Sequence, residues 1–205
     1  RDAARSHGWA SILNVTSTAG HDAYPGGGGY NAAKFAAHAV TDVLRLDGAN
    51  DYVLGPSGSN FAFPGEFCIE VWAVKSAAGA GNYDTALTTD TSNGGATDGW
   101  IFELGTTRGF TFVANGGALL KSVATTINDG ALHHWCVRRG DDGVVRLDKD
   151  GAQLTSSVYT GAISSAGYLG VGRNAALTTY PFNGDVLAVR ITQSGRYAGT
   201  SYTPD

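Results

Sequence analysis

The stretch "FCIEVWAVK", Phe67 to Lys75, decides the fold. Phe67, Ile69 and Val71 share one face of an extended chain, while Cys68, Glu70 and Trp72 share the other. Burying each apolar member of the first set contributes about 1.5–3 kcal/mol, and a slip of one residue would turn that set to solvent, so the alternation fixes the register. The same period-2 signal recurs in "DYVL", "GWIFELG" (Gly99 to Gly105), "GFTFVA" (Gly109 to Ala114), "HHWCVRR" (His133 to Arg139), "VVRLDKDG" (Val144 to Gly151), "YLGVG" and "GDVLAVRIT" (Gly184 to Thr192). Asp150-Gly151, between "VVRLDK" and "AQLTS", has the composition of a type I′ hairpin turn, whose two central residues both need positive φ. Strands at this spacing, with turn residues and no helices between them, predict two packed antiparallel sheets.

Composition agrees and excludes several function classes. Thirty glycines fit many tight turns, and the 205 residues suit one β domain with an appendage. A net charge of −4, without a Lys/Arg cluster, argues against a nucleic-acid groove. No apolar run approaches the roughly 20 residues of a membrane span. Opening at Arg1 and lacking methionine, the chain reads as a mature fragment or excised segment, with neither secretory signal nor transit peptide at its start. Two cysteines, Cys68 and Cys136, are too few for a disulfide scaffold or a four-thiolate zinc site. They read as reduced, half-buried thiols, with a single bridge open if their strands are neighbours.

The acidic and aromatic residues supply the candidate sites. Glu70 and Glu103, the acids set within apolar strands, read as solvated outward residues rather than a catalytic pair. Trp72 and Trp100 are candidate ligand contacts, Trp72 lining a groove or covering a loop. Asp47, Asp51 and Asp185 could converge on a calcium ion, which takes six to eight oxygens, or simply form turns. His133 and His134 point to opposite faces of one strand, which disfavours a zinc site.

Seven ordered segments, "LRLDGANDYVLG", "FCIEVWAV", "LHHWCVRR", "VVRLDKDGA", "YLGVGR", "FNGDVLAVRIT" and "GRYAGTSYTPD", resemble laminin-G-like, concanavalin-A-like jelly-roll domains over about residues 43–205. The closing run, Phe182 to Pro204, is similar to versions appended to phage virion and tail proteins. The chain departs from the pattern at Leu132, where the family usually has Trp, and at Trp135, where it has a small aliphatic residue. The resemblance implies a non-catalytic structural or adhesive sandwich that binds glycan, protein or calcium. It also implies an oligomeric, virion or extracellular setting.

The segment before it resembles something else. "SILNVTS", Ser11 to Ser17, reads as a buried strand, and Tyr30 to Leu46 has near-helical apolar spacing at Phe35, Ala39, Val43 and Leu46. Together they are similar to the catalytic segment of short-chain dehydrogenases/reductases, with Ser17 followed by Tyr30 and Lys34 in a Tyr-x-x-x-Lys pair. The i, i+4 spacing puts Lys34 near the Tyr30 phenol, where it would favour the phenolate for general acid/base work beside Ser17. That alternative, a cytoplasmic NAD(P)-dependent reductase, lacks the glycine-rich dinucleotide turn, since only ten residues precede Ser11. The division predicted is 1–46, a dehydrogenase-like strand-loop-helix, and 47–205, an all-β two-sheet antiparallel jelly-roll sandwich.

Overall fold

The computed structural model describes residues 43–57, 59–76, 83–91, 96–106, 108–122, 126–173 and 180–204. The strand and loop expected before residue 43 lie outside these, as does most of the expected helix. The described residues form twelve strands in two six-stranded antiparallel sheets, with one 3-10 turn at Ser59–Phe61.

The first sheet contains β1 (Leu44–Asp47), β3 (Phe67–Lys75), β8 (Leu132–Arg139), β9 (Val144–Lys149), β10 (Ala152–Val158) and β12 (Asn183–Thr192), in the order β1-β12-β3-β8-β9-β10. The second contains β2 (Val53–Ser57), β4 (Thr85–Thr88), β5 (Trp100–Gly105), β6 (Gly109–Ala114), β7 (Gly117–Ser122) and β11 (Tyr168–Val171), in the order β2-β11-β4-β5-β6-β7. Consecutive strands form meanders at β4–β7 and β8–β10, and the remaining connections cross between sheets. The helix expected to run through Leu46 is corrected here: residues 44–47 form β1, with Leu46 opposite Gly184 of β12 and 1% exposed. Pairing with β12 buries Leu46 in the sandwich, and tertiary packing overrides its helical spacing.

The core lies between the sheets. Phe67, Ile69, Val71 and Ala73 of β3 join Trp135 and Val137 of β8 on the inner face of the first sheet, opposite Trp100, Phe102, Leu104, Phe110 and Phe112 of the second. Phe110 and Trp135 meet edge to face with ring centroids 5.5 Å apart, a geometry the ring quadrupoles favour. The indole at Trp135 is wholly buried, and Leu132, at the family's usual Trp position, is half exposed.

Two buried charges brace the sandwich. Lys75 Nζ lies 2.7 Å from Asp84 Oδ2, joining β3 to the segment that leads into β4. Arg139 ends β8 and donates to the carbonyls of Phe63, Gly65, Tyr159 and Gly161, tying the segment before β3 to the one after β10. The β9–β10 turn follows its sequence signal, with φ of 52° at Asp150 and 79° at Gly151. Gly151 has a second constraint: an added Cβ would sit 1.9 Å from the Tyr202 carbonyl. The turn therefore serves as a dock for the C-terminal residues.

Candidate functional site

The alternation that buries Phe67 turns Cys68, Glu70 and Trp72 to the outer face of the first sheet. By register they meet Arg138, Cys136 and His134 of β8, and Thr192, Arg190 and Ala188 of β12. Residues 195–204 cross this face as a strap. They are held by Tyr202 N–H to Gly151 O (2.9 Å), Gln153 N–H to Thr200 O (3.1 Å), and Arg138 donating to the carbonyls of Tyr197 and Gly199 (2.8 Å each). Tyr197 and Tyr202 stack in parallel, ring centroids 3.7 Å apart.

Glu70 is the hub under the strap. Its carboxylate accepts from Arg190 (2.6 and 2.7 Å), the Tyr197 hydroxyl (2.9 Å) and His134 Nε2 (3.0 Å), with Arg196 Nε at 3.4 Å. Burial alone would raise its pKa, but hydrogen bonds from His134, Arg190 and Tyr197, with the charge of Arg190, bring the carboxyl down to about 2. The expectation of a solvated Glu70 is therefore corrected: its exposure is 0%, because the strap closes over it. Beside it, Arg138 Nε donates to Asp148 Oδ2 at 2.6 Å, an ion pair that opposes the rise burial imposes on Asp148.

Trp72 lies half-buried at one end of this face, 4.6 Å from the His134 ring and 5.1 Å from the Arg190 guanidinium. Beyond the hub is a cleft of about 340 Å³ lined by Glu66, Arg138, Asp142, Arg146, Arg196 and Tyr197 among others. Its charges are largely matched within the protein: Arg146 bonds Asp142, and Glu66 Oε2 accepts from Gly195 N–H at 2.8 Å. Arg146 Nε is buried without a hydrogen-bond partner among the described residues. The surface thus offers an aromatic plate and a polar cleft with little net charge to neutralise.

The other predicted site residues lie elsewhere. Trp100, expected as a ligand contact, is wholly buried in the core and donates Nε1–H to the Phe61 carbonyl at 2.8 Å. It shares the inward phase of Phe102 and Leu104, and its ring lies beside those of Phe63 and Phe112. Glu103, also expected to be solvated, is 3% exposed on the outer face of the second sheet. Burial pushes its carboxyl up to about 7, against a lowering by Arg108 and with a further rise from Asp84. Glu70 and Glu103 therefore occupy opposite outer faces and cannot flank one glycosidic bond, a task that needs carboxyls about 5–9.5 Å apart.

The carboxylates considered for calcium are used locally. Asp185 bonds Arg45 through both oxygens, at 2.9 and 3.1 Å. Asp51 accepts from Asp47 N–H and Asp47 from Ala49 N–H, which is turn chemistry. Among the described residues no group of three His, Cys, Asp or Glu side chains could hold a metal. His133 lies between Asp129 and Asp150 at 3.0 and 2.6 Å, while His134 faces Glu70, so the two rings do take opposite faces. Ser17, Tyr30 and Lys34 lie outside the described residues.

Comparison with known proteins supports the sandwich and divides the chain's likenesses. The profile for short chain dehydrogenase matches residues 2–54, about a quarter of the chain. Within that match, residues 44–47 form β1 and residues 53–54 begin β2, so its end belongs to the sandwich. No curated protein matches the sequence. Among solved structures, the binding domain of Paraclostridial Mosquitocidal Protein 1 superposes with a TM-score of 0.58 at 12% identity, over 76% of this chain and 41% of that one. The Ruminococcus gnavus IT-sialidase CBM40 bound to alpha2,3 sialyllactose gives 0.53 at 11%, over 73% and 95%. The LG1-3 region of the laminin alpha2 chain gives 0.53 at 16%, over 73% and 26%. The chain spans less than half the length of the first and about a quarter of the third. At these identities the likeness defines the fold: a two-sheet sandwich of the concanavalin-A and laminin-G kind.

Proposed function

We propose that the sandwich is a non-catalytic binding module whose ligand is a hydroxyl-rich glycan docking on the outer face of the first sheet. Half-buried Trp72, backed by His134 and Arg190 and set on the same face as the polar cleft, carries this reading. A tryptophan face offers apolar surface to the C–H side of a sugar, and a few placed polar groups then fix its orientation. The internal pairing of Glu70, Arg138, Asp142 and Arg146 favours a neutral or weakly charged ligand, because a strongly ionic one would have to break those pairs. The shared fold with a module bound to sialyllactose supports a glycan over a protein partner. On a glycan array, the wild-type chain retains at least one glycan class, and Trp72→Ala weakens it at least about tenfold, near 1.4 kcal/mol. Retention of nothing by the wild type, or unchanged retention by Trp72→Ala, removes the reading.

This proposal includes a virion or other extracellular assembly as the setting, on the resemblance of Phe182–Pro204 to phage tail modules. It also keeps the dehydrogenase-like segment as a unit separate from the sandwich, with the boundary moved from 46/47 to 43/44 because Leu44–Asp47 is a strand of the first sheet. A second reading is favoured by the dehydrogenase match: a reductase segment using Ser17, Tyr30 and Lys34. It is separated by titrating NADH and NADPH against the full chain. The expected result is no binding; micromolar affinity, with carbonyl reduction abolished in Tyr30→Phe, would establish the reductase instead.

A further inference from the structure

Cys68 and Cys136 project from neighbouring strands onto the face beneath the strap. Both are wholly buried free thiols, their Sγ atoms 3.4 Å apart. The expectation of half-buried thiols is thus corrected, and the condition for a bridge, adjacent strands, is met. In register Cys68 faces Arg138 and Cys136 faces Glu70, so the pair is diagonal rather than directly opposite. Diagonal Cβ atoms stand farther apart than opposite ones, and a disulfide must bring the sulfurs to about 2.05 Å. Closing the bond would draw β3 and β8 together and store strain, and a strained disulfide is readily reduced again. The hydrogen bond to Cys136, together with burial, raises Cys68 above the ordinary thiol range, so with the strap closed little thiolate is present to react. Tyr202, itself raised by burial and by Cys136, belongs to the strap that covers them.

We propose that Cys68 and Cys136 are a reversible dithiol–disulfide pair, gated by the C-terminal strap and oxidised by low-molecular-weight disulfides such as oxidised glutathione. When the strap opens, one thiol loses its proton and attacks a glutathione sulfur. The S–S bond breaks, a mixed disulfide forms and one glutathione leaves as thiolate. The second thiol, also deprotonated, attacks the protein sulfur of that mixed disulfide, forming the Cys68–Cys136 bond and expelling the second glutathione. Two electrons and two protons pass from the protein to the glutathione pair.

The full chain is incubated with oxidised glutathione, denatured, alkylated and weighed. The expected product has lost about 2 Da, carries no alkyl label, and recovers both labels after reduction. Oxidation is expected about tenfold faster, or more, in Tyr202→Ala, which removes one ring of the strap's stack. Tyr197→Ala is the equivalent variant if Tyr202→Ala does not fold. A persistent single-glutathione adduct, or thiols that stay alkylatable in the wild type and the variants alike, overturns the pair. Equal rates in the wild type and the strap variants overturn the gate.

Discussion

Replacing Arg139 with Met is expected to destabilise the sandwich by about 3–5 kcal/mol. The residue is 2% exposed and no carboxylate among the described residues pairs with it; its guanidinium is spent on carbonyls of two separate segments. Replacing a buried ion with an apolar side chain is often harmless where both partners go. Here the partners are four backbone carbonyls that stay behind, and each buried acceptor left unsatisfied costs about 1–3 kcal/mol before water finds it. Methionine fills the stem's volume, so the loss reports the hydrogen bonds and not a cavity. In urea the unfolding midpoint should fall by roughly 2 M with the slope unchanged, at a slope of about 2 kcal/mol per molar. A loss below about 1 kcal/mol would mean that the carbonyls are rehydrated freely and that Arg139 does not hold the two segments.

The second large effect is a stability profile that peaks in mild acid. Glu70 has its folded pKa lowered from 4.5 to about 2, so the unfolded chain takes up this proton first as pH falls. Its contribution, about 3 kcal/mol, is complete above pH 4.5 and is lost as pH falls towards 2. Glu103 is the reverse: its folded pKa is raised from 4.5 to about 7, so the unfolded chain releases this proton first as pH rises. That group costs stability progressively between pH 4.5 and 7, again by about 3 kcal/mol. From these two carboxyls the maximum falls near pH 4.5. Glu103→Gln should therefore gain about 2–3 kcal/mol at pH 8 and nothing at pH 4, while Glu70→Gln should lose about 3 kcal/mol at pH 7. Chemical denaturation of the three proteins across pH 3–8 tests both signs. A wild-type profile that is flat between pH 4.5 and 7 would contradict the burial of Glu103.

The sandwich was legible because its strands alternate. Phe67, Ile69 and Val71 could occupy only one face, and Asp150-Gly151 could turn the chain only one way. Trp100, expected as a ligand contact, keeps the phase of Phe102 and Leu104, and that phase places the indole in the core. β4, "TALT", gave no signal, being four residues long and buried on both faces. The buried state of Glu70 was not readable from its own strand. It depends on Arg190 of β12 and on Arg196 and Tyr197 of the strap, all more than a hundred residues later, and the strap's Gly, Ala, Thr and Ser carry no period. The sequence left calcium binding and turn formation open for Asp47, Asp51 and Asp185, because it does not show that Arg45, two residues from Asp47, bonds both oxygens of Asp185.

The proposed glycan site is the outer face of the first sheet. Titrating the isotope-labelled full chain with the glycan best retained on the array, and following amide and indole resonances, tests it most directly. Shifts are expected to concentrate at the Trp72 indole and at His134, Arg190 and Tyr197, fading across the strap. Shifts confined to the second sheet, at residues such as Ile101 and Thr111, would contradict it.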